Sequence, residues 1–222
     1  MSSAHLPSQT PAIVLFSPSA SRSSVPAGLE REFLAAYAAD ESPKFICECA
    51  SAPTFRLFFD CDCAPLGAAA ADDGDAVVER VISALQSALP ARSRSRLRAL
   101  VVGVRASPLG FHVKLPAFEV TREEARAARD ALVAELAARD GCAGAAAGAS
   151  VWARVIDASV YEHLTCRMLG ARKATKGRDV GRVYHLLGVF GEGGRDRDAE
   201  AEYARDPVQL LADCSIRTEY TS

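Results

Sequence analysis

The sequence predicts an α+β domain built on a mostly antiparallel, mixed sheet. Strand-like runs follow one another as hairpin neighbours instead of alternating strictly with helices, which argues against a doubly wound sheet. Two long helical patterns, Asp75–Leu89 and Thr121–Arg139, separate those runs. A chain of 222 residues with 49% apolar content can bury one sizeable core, so one domain is expected rather than two.

Residues 1–26 are rich in Ser and Pro and read as a flexible N-terminal segment, with Ala12–Phe16 as a candidate edge strand. Residues 27–222 read as the single folded domain. Ala27–Asp40 sets Leu29, Phe33, Leu34 and Tyr37 at helical spacing. Lys44–Ala50 and Thr54–Cys63 read as strands around a Ser-Ala-Pro turn, in the manner of a hairpin. "GAAAADDGD" then reads as an acidic loop of small residues. The helix Asp75–Leu89 puts Val77, Val78, Ile82, Leu85 and Leu89 on one side. "ARSRSRLR" (91–98) leads into strands Ala99–Arg105 and Phe111–Leu115, joined by "ASPLG". Thr121 with Glu124 three residues on opens the next helix as a capping box. "GCAGAAAGAS" (141–150) reads as a flexible connector. Val151–Ile156, Cys166–Ala171 and Arg182–Phe190 read as further strands, "GEGGRDRDAEAE" (191–202) as a flexible surface loop, and Asp206–Leu211 as a short helix. No internal repeat is visible.

A net charge of −2 supplies no global basic field, so any nucleic-acid partner has to be held by a local patch. No window approaches 18 uninterrupted apolar residues, and no membrane contact is expected. Met1–Gln9 lacks the charged start and continuous apolar stretch of a signal peptide, which predicts an intracellular protein, nuclear or cytoplasmic, rather than a secreted one. In a reducing compartment the seven cysteines read as small buried apolar residues. A zinc site from the pairs Cys47/Cys49 and Cys61/Cys63 is the alternative, although structural zinc more often uses two or more intervening residues.

Three places look too costly for ordinary core. "FRLFFDCDC" ends an apolar strand with Asp60 and Asp62, which alternation sends to one face roughly 6–7 Å apart. Two like charges that close repel unless a cation, a basic partner or water separates them. "GFHVKLP" (110–116) sets His112 and Lys114 on one face of a strand. "VIDASVYEHLTCRMLGARK" (155–173) ends an apolar strand with Asp157 and continues to Arg167 and Lys173. Carboxylates at strand ends suit one or two hard divalent cations, Mg²⁺ or Mn²⁺, and such cations bind phosphates. His112, Lys114, Arg167 and Lys173 supply donors and positive charge to a triphosphate. That division of acids and bases fits nucleotidyl transfer.

These motifs, in this order, resemble the archaeo-eukaryotic primase superfamily. They are most similar to its primase-polymerase branch and to the primases of large DNA viruses. "FDCDC" (59–63, over the first motif at 58–62), "GFHVK" and "IDASVY…CRMLGARK" are similar to its acid-x-acid, Ser-x-His and strand-borne-acid motifs, over roughly residues 44–190. The resemblance implies a catalytic core of RNA-recognition-motif type with a smaller α/β unit beside it, the acids lining the open sheet face. It implies that Asp60, Asp62 and Asp157 ligate the catalytic metals and that Gly110, His112, Lys114, Arg167 and Lys173 bind nucleotide. The implied activity is that of a DNA primase or primase-polymerase, a metal-dependent nucleotidyltransferase. It would make or extend primers on a single-stranded DNA template from nucleoside triphosphates. Gly110 stands where many relatives have Ser, so a backbone N–H has to replace a hydroxyl there. No C-terminal Cys/His zinc module is expected, since only Cys214 follows His185 among such residues. Primer initiation then calls for a partner, such as a helicase or an accessory replication subunit. The alternative is a non-catalytic primase-like subunit that binds nucleic acid or a replication partner. In this setting "RSRSR" reads as a solvated helix-to-strand loop, with an electrostatic hold on template phosphates as its other reading.

Overall fold

The computed structural model describes residues 13–16, 22–26, 28–42, 44–50, 52–67, 73–104, 109–141, 150–175 and 178–218. In chain order the strands are β1 (Ile13–Phe16), β2 (Arg22–Val25), β3 (Cys47–Cys49), β4 (Phe55–Asp62), β5 (Ala99–Val104) and β6 (Gly110–Val120). They continue with β7 (Ile156–Asp157), β8 (Thr165–Arg167), β9 (Arg172–Thr175), β10 (Arg178–Val183), β11 (His185–Gly191) and β12 (Gly194–Arg195). The helices are α1 (Glu30–Ala39), α2 (Gly74–Ala88), α3 (Ala91–Arg94), α4 (Arg122–Arg139), α5 (Val151–Val155), α6 (Val160–His163), α7 (Arg197–Arg205) and α8 (Pro207–Cys214).

The central sheet runs β12-β11-β5-β6-β4-β7, with every neighbouring pair antiparallel. Within it, β4-α2-β5-β6-α4-β7 forms a βαββαβ unit in the spatial order β5-β6-β4-β7, the arrangement of an RNA-recognition-motif core. Its periodicity explains its burial. β4 sends Phe55, Leu57, Phe59 and Cys61 to one face, where they meet Val81, Ile82 and Leu85 of α2 and Leu132, Val133 and Leu136 of α4. Both helices start on built-in caps: the Asp73 carboxylate accepts from Ala76 N–H, and Thr121 and Glu124 complete the expected capping box. Emptying the site of the fully buried Phe59 by substitution with Ala should cost about 3–5 kcal/mol.

The opposite face is covered only in part. α7 and α8 lay Ala199, Tyr203 and Cys214 over Leu100, Val102 and Val189. The smaller α/β unit carries the four-stranded antiparallel sheet β2-β1-β3-β8, and α1 packs Leu34 and Tyr37 against Met168, Ala171 and Leu211. β9 and β10 pair as a two-stranded ribbon.

Several elements differ from their sequence reading. β1 lies inside its sheet between β2 and β3, not at an edge, and Arg22–Val25, read as tail, is the true edge strand. β3 and β4 do not form a hairpin. Ala50 N–H is taken by Leu164 O and Arg56 N–H by Ile216 O, so the intervening turn crosses between sheets. Val151–Val155 is helical because Ser150 caps Trp152 N–H and the Trp152 indole reaches Asp140. Of Cys166–Ala171 only the first two residues extend β8, since Gly170 turns the chain at φ +80°. Arg182–Phe190 breaks at Tyr184 into β10 and β11. Arg197–Arg205 is a helix, not a loop, because the Asp196 carboxylate caps Ala199 N–H. The connector at residues 142–149 and most of "GAAAADDGD" lie outside the described residues. No helix among the described residues is long and apolar enough to cross a membrane.

Candidate active site

Strand pairing brings the motifs together before any side chain is considered. Asp60 is the direct cross-strand partner of His112 on β6 and of Asp157 on β7, and Asp62 is the partner of Gly110. Partners share a face, so Asp60, Asp62, Gly110, His112 and Asp157 stand together on the partly open face. Arg167 arrives from the other sheet, where β8 pairs Arg167 with Cys47. Between the two sheets lies a cavity of about 480 Å³, lined by these residues together with Cys166, Arg182 and Tyr184.

Each acid has an environment of its own. Burial, then the facing Asp157 and the neighbouring Asp62, push the Asp60 carboxyl up to about 6, while Lys114 and Arg167 pull the other way. Asp60 Oδ1 lies 3.5 Å from His112 Nε2. Asp62 accepts the Ala64 N–H at 3.1 Å. Asp157 accepts the Ser159 N–H and the Ser159 hydroxyl, each at 2.8 Å. The turn-capping role common for Asp at a strand end is therefore real here, beside the shared wall. The "DASVY" stretch explains how Asp157 is held. Ser159 orients its carboxylate, and the Tyr161 hydroxyl donates to Phe58 O at 2.7 Å, stitching α6 to β4 two residues before Asp60.

The bases divide into two tiers. His112 is 4% exposed, its Nδ1 lies 3.4 Å from Cys166 Sγ, and its ring is 5.0 Å from that of Tyr184. The Arg167 guanidinium stands 5.0 Å over the Tyr184 ring. Lys114 does not reach the cavity wall. It is 2% exposed beneath the cavity, where Nζ lies 2.7 Å from Cys166 Sγ, 3.8 Å from Glu48 Oε1 and 5.1 Å from the Phe58 ring centre. Lys114, expected to contact nucleotide, is instead enclosed beneath the cavity by Cys166, Glu48 and the Phe58 ring. Burial pushes the Cys166 thiol up to about 12, so Cys166 is a neutral thiol and Glu48 is the counter-charge of Lys114. Lys173 lies on β9, and its side chain is outside the described residues.

Gly110 lines the cavity, and a Cβ built there would meet nothing nearer than Cys61 O at 3.9 Å. The site has room for the serine that the resemblance implies. Sequence reasoning missed Arg182, Tyr184, Cys166 and the buried Glu48. The alternation Arg182-x-Tyr184 at a strand end was the available signal for two of them. Glu48, flanked by two cysteines in an ordinary strand pattern, gave none.

The donor chemistry of the wall fits a hard divalent cation: three carboxylates share one cavity, and burial with the neighbouring Asp157 and Asp62 makes Asp60 costly to ionise. They are not drawn into a ligand array, and no group of three or more His, Cys, Asp or Glu poised to hold a metal occurs among the described residues. Asp62 and Asp157 instead satisfy their own turns. The two C-x-C pairs fall in different sheets, with all described cysteines free.

Sheet order and motif order together define an α+β core of archaeo-eukaryotic primase (AEP) type. Residues 15–190 match the model of the family described as the C962R protein N-terminal AEP domain, and the chain belongs to that family. AEP domains are in general nucleotidyltransferases that use divalent metals. No curated protein matches the chain.

Proposed function

We propose that the chain is a metal-dependent nucleotidyltransferase that makes or extends primers on single-stranded DNA from nucleoside triphosphates. The observation that carries this reading is the cross-strand pairing of Asp60 with both Asp157 and His112, in a cavity whose far wall holds Arg167 and Arg182. Acids on one side and guanidinium groups on the other suit a triphosphate.

Asp60, Asp62 and Asp157 would hold the divalent cations, Asp62 and Asp157 exchanging their turn hydrogen bonds for metal. The chemistry supplied by a bound cation pair is activation of the attacking 3′-hydroxyl and neutralisation of the departing pyrophosphate. The protein's own groups do the rest. His112 donates a hydrogen bond to a phosphate oxygen. Arg167 and Arg182 balance the charge of the phosphate chain. The Gly110 N–H permits close approach of a phosphate with no side chain in the way.

The test is labelled-nucleotide incorporation on a single-stranded template with Mn²⁺ or Mg²⁺, with and without a supplied primer. Asp60→Ala should abolish product while the fold is retained. Full activity in that variant overturns the assignment. Product only with a primer identifies an extender. A second reading, a non-catalytic nucleic-acid-binding subunit, draws support from the commitment of Asp62 and Asp157 to their own turns. Strand binding without product under either condition would select it.

A further inference from the structure

Arginines occupy four alternate positions in the seven residues Arg92–Arg98. A solvated loop would leave such side chains loose; Arg92 is exposed, but Arg94 and Arg96 are anchored. Arg94 Nε donates to Leu89 O at 3.3 Å, and Arg96 Nη2 donates to Ala117 O at 2.9 Å. The Arg96 guanidinium also stands 5.9 Å from the Phe118 ring centre. Their anchors are backbone carbonyls, not acids. Among the described residues no carboxylate forms an ion pair with Arg92, Arg94 or Arg96. Arg98 differs, since it bonds Tyr203 beside Asp196 and Asp213. A guanidinium has five N–H donors, so one carbonyl leaves most of the fork available. Pre-fixed side chains also lose less freedom when a ligand arrives.

Arg96 and Arg98, at the end of the run, border a groove. An opening of about 560 Å³ is lined by Arg56, Arg96, Arg98 and Phe190, with Asp196 and Asp213 on the side where they face Arg98. A neighbouring one of about 440 Å³ shares Arg56, Arg96 and Pro116 and reaches Phe118. Guanidinium groups interleaved with aromatic rings are the surface that single strands use, phosphates on the cations and bases on the rings. The groove opens beside the same sheet as the cavity. β5 follows directly on Arg98 of the groove and runs from Ala99 to Val104 at the cavity, five steps or roughly 17 Å along a strand. That is the length of about five stacked nucleotides at 3.4 Å each.

We propose that Arg92, Arg94 and Arg96 grip the phosphates of a single-stranded nucleic acid about five nucleotides from the point where the cavity acts. The identity of the strand rests on the proposed function; the electrostatic grip does not.

The experiment is fluorescence anisotropy of oligo(dT) of 4 and 12 nucleotides with the full chain, over a salt series. Arg92→Ala/Arg94→Ala/Arg96→Ala should weaken the 12-mer at least tenfold and weaken the 4-mer too, whose three phosphates suffice for the patch alone. The slope of log K against log salt should fall by about 2, since each single-strand phosphate contact contributes about 0.7. The triple Lys variant at the same positions should keep most of the slope, which separates lost charge from lost fold. Unchanged 12-mer affinity and slope in the Ala variant overturns the inference, as does wild-type protein that fails to bind the 12-mer at low salt. Competition by poly-glutamate as strong as by oligo(dT) also overturns it, in favour of an acidic peptide. Asp60→Asn separates the two proposals. Lost grip in the Ala variant with no incorporation by wild type sinks the enzymatic reading and leaves the inference standing. Incorporation that Asp60→Asn abolishes, with grip intact in the Ala variant, does the reverse.

Discussion

Asp60 carries conflicting demands, and its titration records them. Its carboxyl is raised to about 6 from 3.8 in the unfolded chain by burial and by Asp157 and Asp62. The folded chain therefore takes up a proton between those values, and stability falls as pH rises from about 4 to 6. Above pH 6 the cost is fully present. The shift alone corresponds to about 3 kcal/mol, but a third of the side chain meets solvent, and screening reduces this to about 1–2 kcal/mol. In chelator-containing buffer, Asp60→Asn should melt higher than wild type at pH 7.5 and show no gain at pH 3.5. Equal differences at both values would remove the electrostatic explanation. Gly110 offers the opposite kind of change. Since a Cβ there meets only Cys61 O at 3.9 Å, Gly110→Ser should fold normally and lower the KM for nucleotide several-fold if a hydroxyl reaches the phosphates. A rise in KM would show that the bare backbone is the better ligand. At this scale the sequence was legible wherever motif and alternation agreed, as for Asp60, Asp62, His112 and Asp157. It misplaced Lys114, because alternation gives the face of a residue and not what later packs over it.

Elements show why the rest was hidden. The helical pattern of Asp75–Leu89 and the capping box at Thr121 are local, and both were readable. The run Val151–Val155 has strand-like composition, yet it is a helix because distant groups hold it. Ser150 caps it, Asp140 takes the Trp152 indole, and the Arg129 guanidinium collects Ala153 O at 2.6 Å and Ile156 O at 2.8 and 3.0 Å. None of these partners is visible in a five-residue window. Arg129 thus fixes the exit of α5 at the residue just before Asp157. Arg129→Met should cost about 2–4 kcal/mol of stability, since it leaves buried carbonyls unbonded. Tyr161→Phe is the gentler probe of the same region. Losing its bond to Phe58 O should cost about 1 kcal/mol and lower incorporation more than nucleotide affinity, because the turn that follows Asp157 loses one of its ties to β4 while the β7–β4 pairing remains. Incorporation unchanged at reduced stability would confine Tyr161 to a structural part.

At the scale of the whole molecule, the six-stranded and four-stranded sheets meet around the active-site cavity, and among the described residues a buried ion pair joins them. Glu48 of β3 and Lys114 of β6 have side chains only 3% exposed, and Glu48 also takes the Ser215 hydroxyl at 2.5 Å and Ile216 N–H at 3.0 Å. Removing one charge strands the other away from water. Glu48→Gln or Lys114→Met alone should each cost about 3–5 kcal/mol, and the double variant less than their sum. Additive losses in a denaturant series would show that the charges do not act as a pair. This clamp was illegible in the sequence because its halves lie 66 positions apart in motifs that look unrelated. The same architecture gives the first strand an importance that its Ser/Pro-rich setting conceals. β1 is the inner neighbour of β3, and β3 in turn carries both Glu48 and the partner of Arg167. A shortened chain beginning at residue 27 would bare a row of unbonded amides and carbonyls along β3, an invitation for copies of the chain to zip together. Light scattering should find such a chain clumped and poorly soluble, while the 222-residue chain stays dispersed.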